Sequence, residues 1–526
     1  FPRARPHLGD LQEAPREEES VADRRWRFTT YKLTTAAAVE FPQATRYRSR
    51  RRMAKPGLSV EASQRAVPEV RLAGRLADLS LGGQIWVLAF WPLLEQVLAF
   101  CVGFTDAIIA GRIGDGHDRV AILDAMGLGT YVGWFFNILQ GAVATGVMAL
   151  VSRATGARDS ILANRGLGQG LWLGIAAGIL SLVALQLGIP ALIHAIQLSP
   201  EASRHAEIFL RTLAISGPFS GAMFAINAAL RGAGDTRTPF IGMCVVNVVN
   251  MSVSSLLALG PAPYGGHGVG GIAAGTVSGW IAGLITVSLL LTRGDGFLGW
   301  SLPSLRLHRE TIARILRVGS PQMLEIAFMW GIQAYSMHAI NLLGDGNLGA
   351  HMLAIRVESM SFLPGWAIAT AAGALVGQYL GAGSKEMAVR SVRLCWKIAA
   401  TLMGCMGIIF IFARDHLIAF MAPDSSVLQH LASPAVLICA AAQPFFASCI
   451  ILKTSMRVAG ATKIVMQWSF GSMIFYRVGV LWWFGQSKIP WFDLRVVWVV
   501  FSLDLITQAF VFAWVHFRGK WLDAKV

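Results

Sequence analysis

Two acids share one apolar stretch: Glu95 and Asp106 lie eleven residues apart between Trp91 and Gly111. An α-helix turns about 100° per residue, so eleven steps make three turns plus about 20° and put both carboxylates on one face. Charge inside hydrocarbon is costly, so such an acid marks an ion or cargo pathway, or bonds to a neighbouring helix. A carboxylate in apolar surroundings can load and release a proton near neutral pH; with more oxygen ligands it can instead hold sodium. Glu325 and Glu358 stand in later apolar stretches and are candidates to face a cavity and attract a cation. Asp504 and Arg477, also in apolar stretches, are expected to pair with each other.

Other chemistries are missing from the sequence. It has no GxxxxGK[ST] loop, no HExxH and no GxSxG, so P-loop ATP hydrolysis and the commonest hydrolytic sites are excluded. Its six cysteines lack CxxC spacing and read as small core residues. No cofactor is expected, and energy must come from an ion gradient or from the cargo's own gradient.

The elements that must position the acids follow from composition. Charged residues make up 14% of the chain and apolar residues 54%. So few charges cannot cover the surface of a soluble protein of this size, whereas a bilayer can cover it. Apolar runs recur at 84–110, 125–152, 167–194, 208–230, 239–260, 268–292, 315–343, 348–380, 396–420, 432–456, 464–485 and 494–517. The expected fold is therefore all-α and integral to the membrane, with twelve transmembrane helices. Loops on one side hold most of the Lys and Arg. Those on the other side hold only Arg112, Arg119, Arg204, Arg211, Arg414, Lys488 and Arg495. This asymmetry places both termini in the cytoplasm. The net charge of +15 sits in these loops and in a basic amino-terminal stretch, which argues against nucleic acid as a partner. Residues 1–80 read as a polar, basic, disordered extension, with the functional chain beginning near Met53.

The two halves repeat. Ala149–Ala157 aligns with Ala374–Ala382 at an offset of 225, which also pairs Arg165 with Arg390. Pro218 and Arg231 pair with Pro444 and Arg457 at an offset of 226, and Pro92 and Gly114 echo Pro321 and Gly344. The expected lobes are residues 81–292 and 315–526, six helices each, joined by a cytoplasmic linker at 293–314. Parallel repeats of this kind are a transporter architecture, with cargo between the lobes and access alternating as they rock.

Several segments resemble the multidrug and toxic compound extrusion (MATE) family. They are Pro92–Glu95 through Gly103–Gly114, Leu230–Pro239, Glu358–Gly365, Leu375–Gly383 and His516–Trp521. The resemblance covers about 80–526. It implies a V-shaped pair of lobes and export of organic, often cationic, compounds in exchange for sodium ions or protons. It also implies a cation-coupling site of Asp106, Asn247 and Thr276, with Pro92 as a hinge; Asn250, three residues after Asn247 on the same helix face, is a candidate to supply a further oxygen. Met251 stands where some members carry a second acid, and the tenth span has no acid. The coupling ion stays open, with protons ahead of sodium at Asp106. A monomer in the plasma membrane, in contact with lipid, is expected. A lipid-linked oligosaccharide flippase of the same superfamily and a membrane-embedded transferase are the competing readings.

Overall fold

The computed structural model describes residue 72 and residues 76–526, apart from 197, 262, 294–296, 424 and 487–491. Nearly all of the expected extension at residues 1–80 lies outside the described residues. Among those residues the chain is helical, with no strand. The helices are α1 (Leu81–Ala110), α2 (Gly116–Gly156), α3 (Ser160–Ile196), α4 (Pro200–Ala214), α5 (Gly217–Ala233), α6 (Arg237–Leu259) and α7 (Gly268–Thr292). After the short α8 (Leu302–Leu305) come α9 (Arg309–Asn341), α10 (Asn347–Gly381), α11 (Lys385–Met421), α12 (Ser426–Val458), α13 (Thr462–Met473), α14 (Leu481–Gln486) and α15 (Leu494–Arg518).

Eight of the described helices are long and apolar enough to cross a membrane, the continuous run Thr462–Gln486 through α13 and α14 makes a ninth, and the bent pair α4–α5 makes a tenth. The other two long helices, α2 and α9, are diluted by polar side chains that have partners inside the bundle. Gln140 of α2 donates its amide to Ser220 Oγ (2.9 Å) and Gly217 O (3.3 Å). Glu325 of α9 accepts from Arg457 at 2.8 Å. With these two, the chain has the twelve spans of the sequence reading, arranged as two six-helix lobes. Two spans are less regular than expected. The fourth breaks between α4 and α5 with a bend of 48°, where Ser216-Gly217-Pro218 cannot continue the ladder of hydrogen bonds. Gln140 supplies a partner to that break, as backbone at membrane depth requires. The eleventh passes through a π-helical turn, Ile474–Val480, between α13 and α14.

The lobes share a core at one end only. One apolar cluster holds Val147–Val151 and Ile226 of the first lobe together with Ala371–Val376 and Ile451 of the second. At the other end each lobe has its own core, around Ile122 and Leu210 in the first and around Phe410 and Val497 in the second. The shared end is the one that carries the start of α1 and the carboxy terminus. Tyr379 donates to Gln84 Oε1 there at 2.8 Å.

The contact at this end obeys the repeat. A Cβ on Gly156 would lie 1.8 Å from Gln378 O, and one on Gly381 would lie 2.0 Å from Arg153 O. Gly156 and Gly381 are related by the offset of 225, as are Arg153 and Gln378. Each helix end thus packs its glycine against the other's carbonyl, as a two-fold contact must. The side chains follow suit: Arg153 donates to Ala459 O at 3.1 Å and Gln378 donates to Gly232 O at 2.9 Å. Both glycines exist because backbone approaches backbone here. Gly156→Ala and Gly381→Ala should each destabilise the purified protein by about 1–3 kcal/mol through overpacking, read as a lower Tm. Gly103→Ala, whose new Cβ meets nothing within 4 Å, should not. Equal Tm values for all three variants would contradict this account of the lobe contact.

Candidate functional site

Asp106 sits near the end of α1 and is buried, with 7% of its surface exposed. Its partners come from α6 and α7, which pack closely because Gly275 leaves no side chain between them; a Cβ there would lie 2.1 Å from Ser254 Oγ. Asn250 Nδ2 donates to Asp106 Oδ1 at 3.3 Å and to Thr276 Oγ1 at 3.0 Å. The Thr276 hydroxyl lies 3.2 Å from Asp106 Oδ2. Every one of these partners is neutral. Asn250 Oδ1 is buried with no hydrogen-bond partner, so an oxygen stands ready beside the carboxylate. Asn247 is not brought into this group: its amide donates to Met243 O of its own helix at 2.9 Å. Of the acid and the three polar residues singled out from sequence, Asp106, Thr276 and Asn250 converge. Met251 is 51% exposed and faces away.

The other acids are held differently. Glu95, on α1, forms an ion pair with Arg231 at the end of α5. Glu325, on α9, pairs with Arg457 at 2.8 Å and lies 3.8 Å from Lys453, both on α12. The two pairs are repeat mates: each acid follows its proline, Pro92 or Pro321, by three or four residues, and each arginine matches at the offset of 226. Arg231 and Arg457 read as loop charges in the sequence, yet their side chains turn inward from the last turns of α5 and α12. Arg477 and Asp504 pair as expected, at 2.7 Å. One turn before Pro92, the Thr236 hydroxyl, at the start of α6, donates to Val87 O at 3.1 Å.

The carboxy-terminal lobe encloses a cavity of about 490 Å³, within the range of small-molecule sites. It lies among α9, α10, α12, the π-helical turn and α15. Glu358 lines it and interacts with the Cys439 thiol and, through space, with Arg477. Arg477 stands over the Phe501 ring at 4.6 Å. Trp330, Trp366 and Phe446 supply flat apolar walls. Several lining polar atoms are buried without partners: Gln322 Oε1, Glu325 Oε2, both ring nitrogens of His351, Trp498 Nε1 and Gln508 Oε1. Leaving such groups unmet costs about 1–3 kcal/mol each, so water or a ligand must serve them. Sequence reasoning missed His351 and the π-helical turn, since neither leaves a pattern in one sequence. It also missed the inward arginines, although their repeat spacing was visible. Among the described residues no group of three or more His, Cys, Asp or Glu could hold a metal ion.

Two repeat-related six-helix lobes that meet at one end and bury acids held by neutral partners define a membrane transporter. The MatE family model matches residues 93–256 and again residues 321–483, one match per lobe, and the chain belongs to that transporter family. The probable multidrug resistance protein NorM of Thermotoga maritima is 27% identical over 440 residues, covering 82% of this chain and 92% of its own length. A protein of the same name from Acinetobacter baylyi is 26% identical over 349 residues, covering 64% of this chain and 75% of itself. Among solved structures, a MATE transporter in complex with MaL6 superposes with a TM-score of 0.76 at 18% identity, over 85% of this chain and 98% of its own. The outward-facing conformation of a multidrug resistance MATE transporter gives 0.74 at 19%, over 85% and 97%.

The paired acids should behave as structure. Glu95→Ala alone leaves Arg231 without its partner and is expected to cost about 3–5 kcal/mol. A Glu95→Leu/Arg231→Met double variant should recover most of that, as measured by thermal unfolding. A double variant as unstable as the single one would contradict the assignment.

Proposed function

We propose that this chain is a secondary-active multidrug exporter that moves small organic, often cationic, molecules out of the cell by antiport with protons or sodium. The observation that carries the coupling is the contrast among its membrane acids. Glu95, Glu325 and Asp504 have basic partners at bonding distance, whereas Asp106 is held by an amide and a hydroxyl, and Glu358, at the cavity, by the Cys439 thiol. A paired acid keeps its charge, while one held by neutral groups can exchange a proton or a bound cation. Protons are our first reading, because the site offers one carboxylate and Met251 adds no second. Sodium remains the alternative, with Asn250 Oδ1, Thr276 Oγ1 and the two Asp106 oxygens as donors.

In this reading the chain works as a monomer in the plasma membrane, with lobes at 81–292 and 315–526 and a cytoplasmic linker at 293–314. The shared core closes the cytoplasmic side, and Pro92 is the hinge of α1. Cargo enters the carboxy-lobe cavity, where Glu358 attracts its cationic group and the aromatic walls hold its rings. Lys453, Arg457 and Arg477 also line that cavity, a feature that a pyrophosphate-bearing lipid cargo would need. Glu325 and Asp504 offset them, which supports the exporter over a flippase.

Asp106→Asn removes the titratable charge and keeps the shape. In proteoliposomes it should abolish gradient-driven export while leaving cargo binding. Asn250→Ala should slow export about tenfold or more, the equivalent of one bond to a charged group, and Asn247→Ala should leave it near the native rate. Full export by Asp106→Asn under an imposed proton gradient would overturn the assignment. Stimulation by sodium without proton dependence would reverse the ion and keep the site. For topology, a cysteine replacing Tyr264 should be labelled from outside intact cells and one replacing Lys463 should not. The reverse pattern would invert the protein in the membrane.

A further inference from the structure

On the outside of the carboxy-terminal lobe, two grooves join. The first, of about 850 Å³, lies between the start of α1 and the first turns of α11; the stripe Arg390, Arg393 and Lys397 lines it, with Lys385 and one acid, Glu386, at its edge in sequence. Spaced by three and four residues, these three share a face of α11, and all three are exposed. The second groove, of about 530 Å³, is apolar and runs on from the same Arg393 and Lys397 between Trp396, Phe445 and Phe517. Its walls are set: Trp396 Nε1 donates to Ser448 Oγ at 2.7 Å, and the Arg393 guanidinium stands 5.6 Å over the Phe517 ring.

The depth of the stripe fits a membrane interface. The 37 residues of α11 make a rod about 55 Å long, well beyond the roughly 30 Å of hydrocarbon. After Lys397 no charge follows until Arg414. The stripe therefore sits where the uncharged part of the helix begins, at the level of lipid headgroups. A basic pocket at that level that continues as an apolar groove on the lipid-facing surface matches one kind of molecule in both halves.

We propose that these grooves form a specific site for an anionic phospholipid, with its phosphate on Arg390, Arg393 and Lys397 and an acyl chain along Trp396, Phe445 and Phe517. Leu81 and Gly82 of α1 line the same headgroup groove. A bound lipid therefore bridges the first lobe to the second at their shared end and favours the arrangement in which that end is closed.

The test is native mass spectrometry of the full chain, purified in detergent and supplied with phosphatidylglycerol or phosphatidylcholine. The native protein should retain phosphatidylglycerol in preference. The triple variant Arg390→Gln/Arg393→Gln/Lys397→Gln should bind it at least about tenfold more weakly. A control triple at the same end, Arg158→Gln/Arg309→Gln/Arg317→Gln, should keep native retention. If the first triple fails to fold, Lys397→Gln and Phe517→Ala singly should each weaken retention. Soluble glycerol 3-phosphate should compete poorly, because it lacks the acyl chain. Equal retention of both lipids, equal loss in both triples, native retention by the site variants, or competition by glycerol 3-phosphate as strong as by lipid would each overturn the proposal.

Discussion

A charge inside a bilayer must find its counterpart within the protein, and this constraint orders the rest of the molecule. Arg231 and Arg457 reach inward from their helix ends to Glu95 and Glu325, and Arg477 reaches Asp504. Each pair ties one helix to another within a lobe: α1 to α5, α9 to α12, and the π-helical turn to α15. Replacing such pairs by apolar residues often costs little, whereas orphaning one partner costs much. They therefore specify which helices meet more than they add to stability. Asp106 is satisfied by Asn250 and Thr276 instead, and that difference is the basis for proposing it as the coupling acid.

The repeat turns this local rule into an architecture. One ion pair near a proline appears in each lobe at matching positions, so the same tie between helices recurs in both lobes. The lobes then meet through matching glycines and carbonyls on α2 and α10. A two-fold contact confined to one end is a natural pivot. The separate apolar cores at the far end let each lobe move as a body without exposing its interior. The Asp106 cluster lies in the first lobe and the polar, aromatic cavity in the second. In the proposed reading, coupling between them passes through the shared end rather than through direct contact of ligands.

Much of this was legible in the sequence, for physical reasons. Spans of about 20 apolar residues are dictated by bilayer thickness, and the repeat offset is plain arithmetic on Arg231 and Arg457. Asp106 was identifiable because so few acids sit in hydrocarbon. What stayed hidden depends on rotation about helix axes. Asn247 and Asn250 are one turn apart, and no pattern in a single chain says which of them faces α1. Arg231 read as a loop charge because a long side chain at a helix end can turn either way. The break at Ser216–Pro218 was written in a known breaker sequence, but only Gln140 across the bundle makes it affordable. His351 gave no signal, since a lone histidine in an apolar run looks the same whether it lines a cavity or fills a core.

The central claim is that Asp106 changes its occupancy during transport while the paired acids do not. Proton exchange on cargo binding measures this directly. A transported organic cation is added to the purified protein in weakly buffered solution, and the protons released are counted. The account predicts about one proton released by the native protein, one by the Glu95→Leu/Arg231→Met variant, and none by Asp106→Asn. Equal release from the native protein and Asp106→Asn would contradict it.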